Sequence, residues 1–118
     1  MPTDFRNFPI VRVVVKHMIA LTKQHRLRFN EIRQKLTSLG SRESAFVTIE
    51  LLFYEALAIA RTYGEDADNN LLAALKQVYA EQYQATKEVF RKSRQRELAI
   101  RKFSVRLKNV LNVKETVS

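Results

Sequence analysis

Arginine and lysine side chains are the groups in this chain best suited to chemistry, and many of them gather near its end. Between Arg91 and Lys108 the sequence has eight basic residues and one acidic residue, Glu97. Arginine predominates among them, and its planar guanidinium matches phosphate oxygens better than an ammonium does. On a helix, five basic residues would form one stripe: Lys87, Arg91, Arg94, Arg101 and Lys108. Because solvated helix faces usually mix both signs, a face of one sign predicts contact with a phosphate backbone.

Two further stripes of basic residues are predicted. One lies beside the first: Lys92, Arg96 and Arg106. The other falls on the polar arc of the first predicted helix: Arg12, Lys16, Lys23, Arg26 and Arg33. If the helices pack side by side, their stripes form one positive surface, which would hold a nucleic acid without reading its sequence. We predict phosphate contacts from eight residues: Arg12, Lys16, Lys23, Arg26, Arg91, Arg94, Arg101 and Lys108.

The net charge of +9 is divided unevenly along the chain. Residues 1–40 carry eight basic and two acidic side chains (+6), residues 41–70 two and six (−4), and residues 71–118 eleven and four (+7). Such an arrangement adds self-repulsion and little fold stability, so it indicates a polyanionic partner.

The positions of the glycines and prolines predict one all-α domain over residues 1–118, a bundle of three long helices. Only two glycines and two prolines occur in 118 residues, and both prolines lie within the first nine. Apolar residues recur at helical spacing over residues 8–39, with Phe29, Ile32 and Leu36 among them. Gly40 then supplies a left-handed stop.

The second predicted helix, residues 42–63, is apolar all round its axis. We therefore expect it to be the central element, covered on every side. Gly64 ends it, and either Asp68 or Asn69 caps the helix that follows.

The third predicted helix, residues 70–112, has an apolar seam that is nearly empty between Phe90 and Leu98. One helix of this length would extend for about 60 Å and project beyond the bundle. The alternative, which we favour, is a bend near Ser93 that folds the chain back as a fourth helix.

No set of side chains in the sequence predicts catalysis, a metal site or a cofactor. Without cysteine, disulfides, thiolate metal sites and cysteine nucleophiles are excluded. His17 and His25 are not spaced as a metal pair, and His25 falls on the apolar arc, where a core or interface histidine is expected. Glu50 and Glu55 lie about 140° apart round a helix, so they form no acid–base pair. We expect each to pair with a cation of a neighbouring helix.

The aromatic residues leave two interpretations open. Phe29, Phe46, Phe53 and Phe103 fall at core positions. Two more aromatic residues, Tyr79 and Tyr83, could stack on bases as in single-strand binding proteins, but core packing is the favoured interpretation.

The sequence predicts a soluble cytoplasmic protein. The N-terminus lacks a basic start followed by a long apolar run, so no signal peptide is expected. The longest apolar region, residues 45–60, is interrupted by Thr48, Glu50 and Glu55 and is too short to span a bilayer.

In its size, helical class, lack of cysteine and two positive stripes, the chain resembles the small subunits of CRISPR effector complexes. The stripes concerned are the one from Arg12 to Arg33 and the run from Arg91 to Lys108. This resemblance implies a helical bundle that stacks within a complex and contacts nucleic-acid backbone. The same features suit a helical nucleoprotein capsid subunit or an accessory protein of plasmid transfer.

We therefore expect a non-catalytic subunit of a nucleoprotein assembly that binds nucleic acid without sequence preference. Its partners would be nucleic acid, other subunits and further copies of itself, with no membrane and no small-molecule substrate. The sequence leaves open whether the nucleic acid is DNA or RNA, single or double stranded. The alternative is a protein-interaction or structural module whose basic faces dock on acidic partners.

Overall fold

Four helices account for most of the chain that the computed structural model describes, which comprises residues 21–66, 68–90 and 95–113. Helix α1 is Lys23–Leu39. A single 3-10 turn, Glu43–Ala45, leads into α2, Phe46–Arg61. Helix α3 has three consecutive parts, Asn70–Val78, a π-helical turn Tyr79–Tyr83, and Gln84–Val89. Helix α4 is Arg96–Leu111. No strand occurs among the described residues, which confirms the predicted all-α class for them.

The core lies where α2 and α4 meet, and α1 and α3 pack on either side of this pair. Large side chains without exposed surface fill it, and the predicted core residues are among them: Phe29, Ile32, Leu36, Phe53 and Phe103. Burying each such side chain stabilises the fold by about 1.5–3 kcal/mol.

The first predicted helix differs from the structure at its start. Thr22 is extended (φ −64°, ψ 157°) and caps α1, its Oγ1 accepting from the backbone N–H of His25 at 3.1 Å. The helix therefore begins after Thr22, and the single helix predicted over residues 8–39 is interrupted there. The predicted start near residue 8 lies outside the described residues. Apolar periodicity missed the break because the residues on both sides of it keep the same helical phase.

The prediction that the second helix is covered on every side is wrong. Val47 is 60% exposed, Leu51 64% and Tyr54 44%. Helix α2 contacts the other three helices, but so does α4, and one apolar face of α2 is left without a neighbour in the described chain.

The third predicted helix is two helices, as in the favoured alternative. Helix α4 folds back and packs along α3 as well as α1. The predicted bend near Ser93 lies outside the described residues. Because α3 and α4 are separate, Lys87 on α3 does not share a helix face with Arg101 and Lys108 on α4.

Asn69 joins the end of α2 to the start of α3. Its Oδ1 accepts from the backbone N–H of Leu72 at 3.0 Å, and its Nδ2 donates to the carbonyls of Ala60 at 2.8 Å and Gly64 at 2.6 Å. Of the two caps predicted for this helix, Asn69 is therefore the one the structure has. Gly64 adopts a positive φ of 99°, which favours glycine at this turn.

Candidate functional site

The structure places half of the eight predicted phosphate-binding residues within its described part. Lys23 and Arg26 lie on α1, and Arg101 and Lys108 lie on α4. The other four lie outside the described residues: Arg12, Lys16, Arg91 and Arg94.

The four described residues line one groove between α1 and α4. The groove consists of three adjoining hollows, the first and second sharing Asn30 and the second and third sharing Thr37 and Lys108. Five cations line it, and we call it the α1–α4 groove: Lys23, Arg26, Arg33, Arg101 and Lys108. Basic residues that are far apart in sequence are thus brought together by the packing of α4 on α1.

The described lining of the α1–α4 groove contains no aspartate or glutamate. Its polar neutral groups are amides and hydroxyls: Asn30, Gln34, Thr37, Ser41, Ser104 and Asn109. Such groups donate hydrogen bonds to an anion and do not neutralise the cations. The groove therefore combines positive charge from two helices with neutral donors between them.

Three of the groove cations donate hydrogen bonds to neutral groups. Lys108 Nζ donates to Thr37 Oγ1 at 3.2 Å, Arg33 Nη1 donates to Asn30 Oδ1 at 3.3 Å, and Arg26 Nη1 donates to the carbonyl of Leu21 at 3.1 Å. The Nε of Arg33 is buried without a hydrogen-bond partner. Four of the cations contact no carboxylate of the described chain: Lys23, Arg33, Arg101 and Lys108.

Arginines elsewhere on the same helices are matched to carboxylates. Arg28 of α1 donates two hydrogen bonds to the carboxylate of Glu55 on α2, from Nε at 2.5 Å and from Nη2 at 2.7 Å. Its Nη1 donates a third hydrogen bond, to Glu31, at 3.1 Å. The Arg28 bond lowers the pKa of Glu55 below its ordinary value. This is the ion pair that was expected for Glu55.

Two members of the predicted stripe of Lys92, Arg96 and Arg106 also form ion pairs. Arg96 Nη1 lies 2.6 Å from Glu43, and Arg106 Nη2 lies 2.7 Å from Glu81. Hydrogen bonds from Gln77 and then Arg106 lower the pKa of Glu81. Arg96 and Arg106 therefore connect helices, and their predicted role beside the first stripe is not supported; Lys92 lies outside the described residues.

Glu50 does not form the expected ion pair, because its partner is a tyrosine. The hydroxyl of Tyr83 donates to the Glu50 carboxylate, and Tyr54 donates to Tyr83 at 3.4 Å. Burial, followed by the bond to Glu50, raises the pKa of Tyr83 far above its ordinary value. Its ring packs on Phe53 and Phe103, with centroids 5.7 and 5.6 Å away, which confirms core packing for Tyr83.

His25 of α1 contacts the turn that follows α2. Its Nδ1 lies 2.6 Å from the hydroxyl of Tyr63, which also accepts from the backbone N–H of Thr22 at 2.9 Å. This agrees with the expected interface histidine. Among the residues described here, no cluster of histidine and acidic side chains could hold a metal ion.

Sequence reasoning missed the neutral groups of the groove. Asn30 comes four residues after Arg26, and Thr37 comes four residues after Arg33. Residues four apart on a helix are neighbours, and Asn30 and Thr37 are themselves seven apart, so all four lie on the same face of α1. Asn109 follows Lys108 directly. A helical projection would have found the two residues of α1, but which face of α4 lies opposite them depends on tertiary packing.

Comparison with family models, with curated proteins and with solved structures finds no match to this chain. The resemblance to CRISPR effector subunits therefore stays a prediction. Over the described stretches, no helix combines the length and the apolar character needed to cross a membrane.

Proposed function

We propose that the α1–α4 groove binds the phosphate backbone of a nucleic acid without regard to sequence. The observation that carries the proposal is the contrast in pairing on two helices. Lys23, Arg101 and Lys108 line a groove without carboxylates, whereas Arg28, Arg96 and Arg106 are each bonded to a glutamate. An exposed groove of one sign concentrates polyanions and accelerates their association.

The chemistry proposed for the groove is charge-assisted hydrogen bonding to phosphate oxygens. Lys108 uses one of its three N–H donors on Thr37, so two remain for phosphate. Amides of Asn30 and Asn109 supply neutral donors beside it. If the groove neutralises about four phosphates, log affinity should fall with log salt at a slope near −3 on single strands.

The proposed setting is a larger nucleoprotein assembly in which the protein is a non-catalytic subunit. This part of the proposal rests on size, helical class and charge, which resemble those of CRISPR effector small subunits. Other subunits would supply any sequence recognition, because backbone contacts position a nucleic acid and do not specify it.

Fluorescence anisotropy with labelled single strands and duplexes of DNA and RNA, at several salt concentrations, tests the proposal. The variant Arg101→Glu/Lys108→Glu should bind all sequences more weakly by at least about tenfold, with a salt slope reduced by roughly 1 to 2. The comparison of strands identifies the preferred nucleic acid.

The matched control is Lys35→Glu/Lys87→Glu, which changes the net charge equally. Lys35 is exposed and lies two residues, about 200°, round α1 from Arg33, outside the groove lining. The control should retain most of the affinity and slope. Equal losses in both variants, or a loss confined to one sequence, would contradict a backbone-binding groove. Absence of binding at low salt would favour the alternative module that docks on acidic proteins.

A further inference from the structure

The α1–α4 groove is long and straight, because its two walls are antiparallel helices. Lys23, at the start of α1, shares a hollow with Leu111, at the end of α4. At the other end of the groove, Gly40 shares a hollow with Arg101. The 17 residues of α1 rise by about 26 Å, so the groove extends for about that length.

The groove is also narrow. Helices α1 and α4 pack directly on each other, and helices in direct contact have axes about 8–10 Å apart. The cations in its middle, Arg33 and Lys108, are only partly exposed, whereas Lys23 and Arg101 at its two ends are exposed. A ligand must therefore enter the groove to reach the middle cations, but it meets the end cations without entering.

The cations of the groove stand at three levels along its length. Two line the first hollow, two the middle one and one the last: Lys23 and Arg26, Arg33 and Lys108, and Arg101, with Lys108 reaching the last hollow as well. Arg33 follows Arg26 by seven residues, and Lys108 follows Arg101 by seven, so successive levels are about 10 Å apart. The levels form a straight row of positive charge.

From this geometry we infer that the α1–α4 groove takes one single strand of nucleic acid and not a duplex. Each backbone of a duplex winds round its axis once in about 34–36 Å, so it curves away from a straight row of cations. A duplex, whose major groove alone is about 12 Å wide, is also too thick to enter. A single strand has no fixed curvature and can meet all three levels. This assignment rests on the proposed function of the groove.

The bases of the bound strand should face away from the protein. Single-strand sites that hold bases stack them on exposed aromatic side chains. Phe29 is the only aromatic residue in the described lining of the groove, and it is 2% exposed. The lining instead offers cations and neutral donors, which bond to phosphate oxygens. A strand bound by its backbone is held without regard to its sequence.

Fluorescence anisotropy at low salt tests the assignment with the full chain. A single strand of about 12 nucleotides should bind at least about tenfold more tightly than a duplex of the same length, and DNA and RNA versions of both identify the preferred sugar. A strand of the same length in which every base is replaced by an abasic site should compete within about threefold of the intact strand.

Two variants distinguish the middle of the groove from its end. Arg33→Gln removes a cation that only a single strand reaches, so it should weaken single-strand binding, reduce its salt slope by about 0.7 and leave duplex binding unchanged. Arg101→Gln removes an exposed cation at the end, so it should weaken the binding of both forms. Far-UV circular dichroism verifies that both variants retain their helices.

The possible outcomes separate this assignment from the proposed function. A duplex that binds as tightly as the single strand would overturn the assignment and leave backbone binding by the groove intact. An abasic strand that competes at least about tenfold more weakly would show that the bases contact the protein. Absence of binding by either form at low salt would contradict the proposed function and the assignment together.

Discussion

At the scale of residues, the cations of this protein fall into two groups with different roles. Arg28, Arg96 and Arg106 bond to glutamates of other elements and connect helices. Lys23 and Arg101 line the groove and contact no described carboxylate. In the sequence the two groups look alike, because all are basic residues on helix surfaces. Whether a basic residue is neutralised depends on whether the element packed against it carries a glutamate nearby.

The pair of Arg28 and Glu55 should contribute measurably but modestly to stability. Both side chains are partly exposed, at 41% and 37%, so we expect a coupling free energy of about 0.5 kcal/mol. A double-mutant cycle with Arg28→Ala and Glu55→Ala, followed by urea unfolding, measures this quantity. The cycle also removes the separate contribution of the Arg28 bond to Glu31.

The same pair predicts a pH dependence. Arg28 lowers the pKa of Glu55 below its ordinary 4.5, so the stabilisation is complete above pH 4.5 and is lost as the pH falls through the lowered pKa. The difference in unfolding free energy between wild type and Arg28→Ala should therefore shrink below pH 4.5. A difference that stays constant down to pH 2 would show that the carboxylate is not involved.

At the scale of elements, the junction between α2 and α3 depends on one buried side chain. Asn69 is 4% exposed and satisfies one N–H of α3 and two carbonyls near the end of α2. Helix ends leave such groups without partners, and burial makes each of them costly.

Replacing Asn69 should therefore destabilise the protein strongly. We expect Asn69→Ala to lower the free energy of unfolding by about 2 kcal/mol, measured by chemical denaturation. Asn69→Asp retains the capping oxygen but loses both N–H donors, so it should also destabilise. Asp68→Ala, next to it but exposed, should change stability by less than about 0.5 kcal/mol. An Asn69→Asp variant as stable as wild type would mean that the cap alone matters.

The sequence was sufficient for the type of the described elements and for part of their packing. Gly40, with a positive φ, ends α1 as predicted, Gly64 lies three residues after the end of α2, and the apolar arc of α1 is buried at Phe29, Ile32 and Leu36. Hydrophobic periodicity carries this information because it reports which face of a helix avoids water.

The features that the sequence did not predict depend on which helices are neighbours in the fold or on a single hydrogen bond. The exposure of Leu51 depends on how many helices surround α2, and an all-round apolar pattern does not count them. The start of α1 depends on one hydroxyl, that of Thr22. The basic residues of the groove could be predicted from the sequence, but the groove could not. Which face of α4 lies against α1 depends on tertiary packing.

At the scale of the whole molecule, the proposed groove has a cost in stability. The net charge is +9, and two helices hold cations side by side without carboxylates between them. Mutual repulsion between such charges destabilises the folded state, and dissolved salt screens it over about 10 Å at 0.1 M.

The groove variant Arg101→Glu/Lys108→Glu should consequently be more stable than wild type in low salt. Its net charge falls from +9 to +5, since two positive charges are lost and two negative ones gained. We expect the Tm to rise by a few degrees at 10 mM salt and the difference to fade towards 1 M. Differential scanning calorimetry measures both. A variant less stable than wild type in low salt would argue against repulsion in the groove.

The π-helical turn at Tyr79–Tyr83 constrains how the length of this chain can change. Its hydrogen bonds extend one residue further than those of an α-helix, so it contains one residue more than a regular helix would need there. Both tyrosine rings stack on Phe53, at 6.2 and 5.7 Å. Deleting the exposed Ala80 would regularise α3 and keep the residues after it on their present faces, so Thr86 would stay buried. A one-residue deletion should therefore be tolerated better in this turn than in a regular part of the helix, where it would rotate the following residues by about 100°.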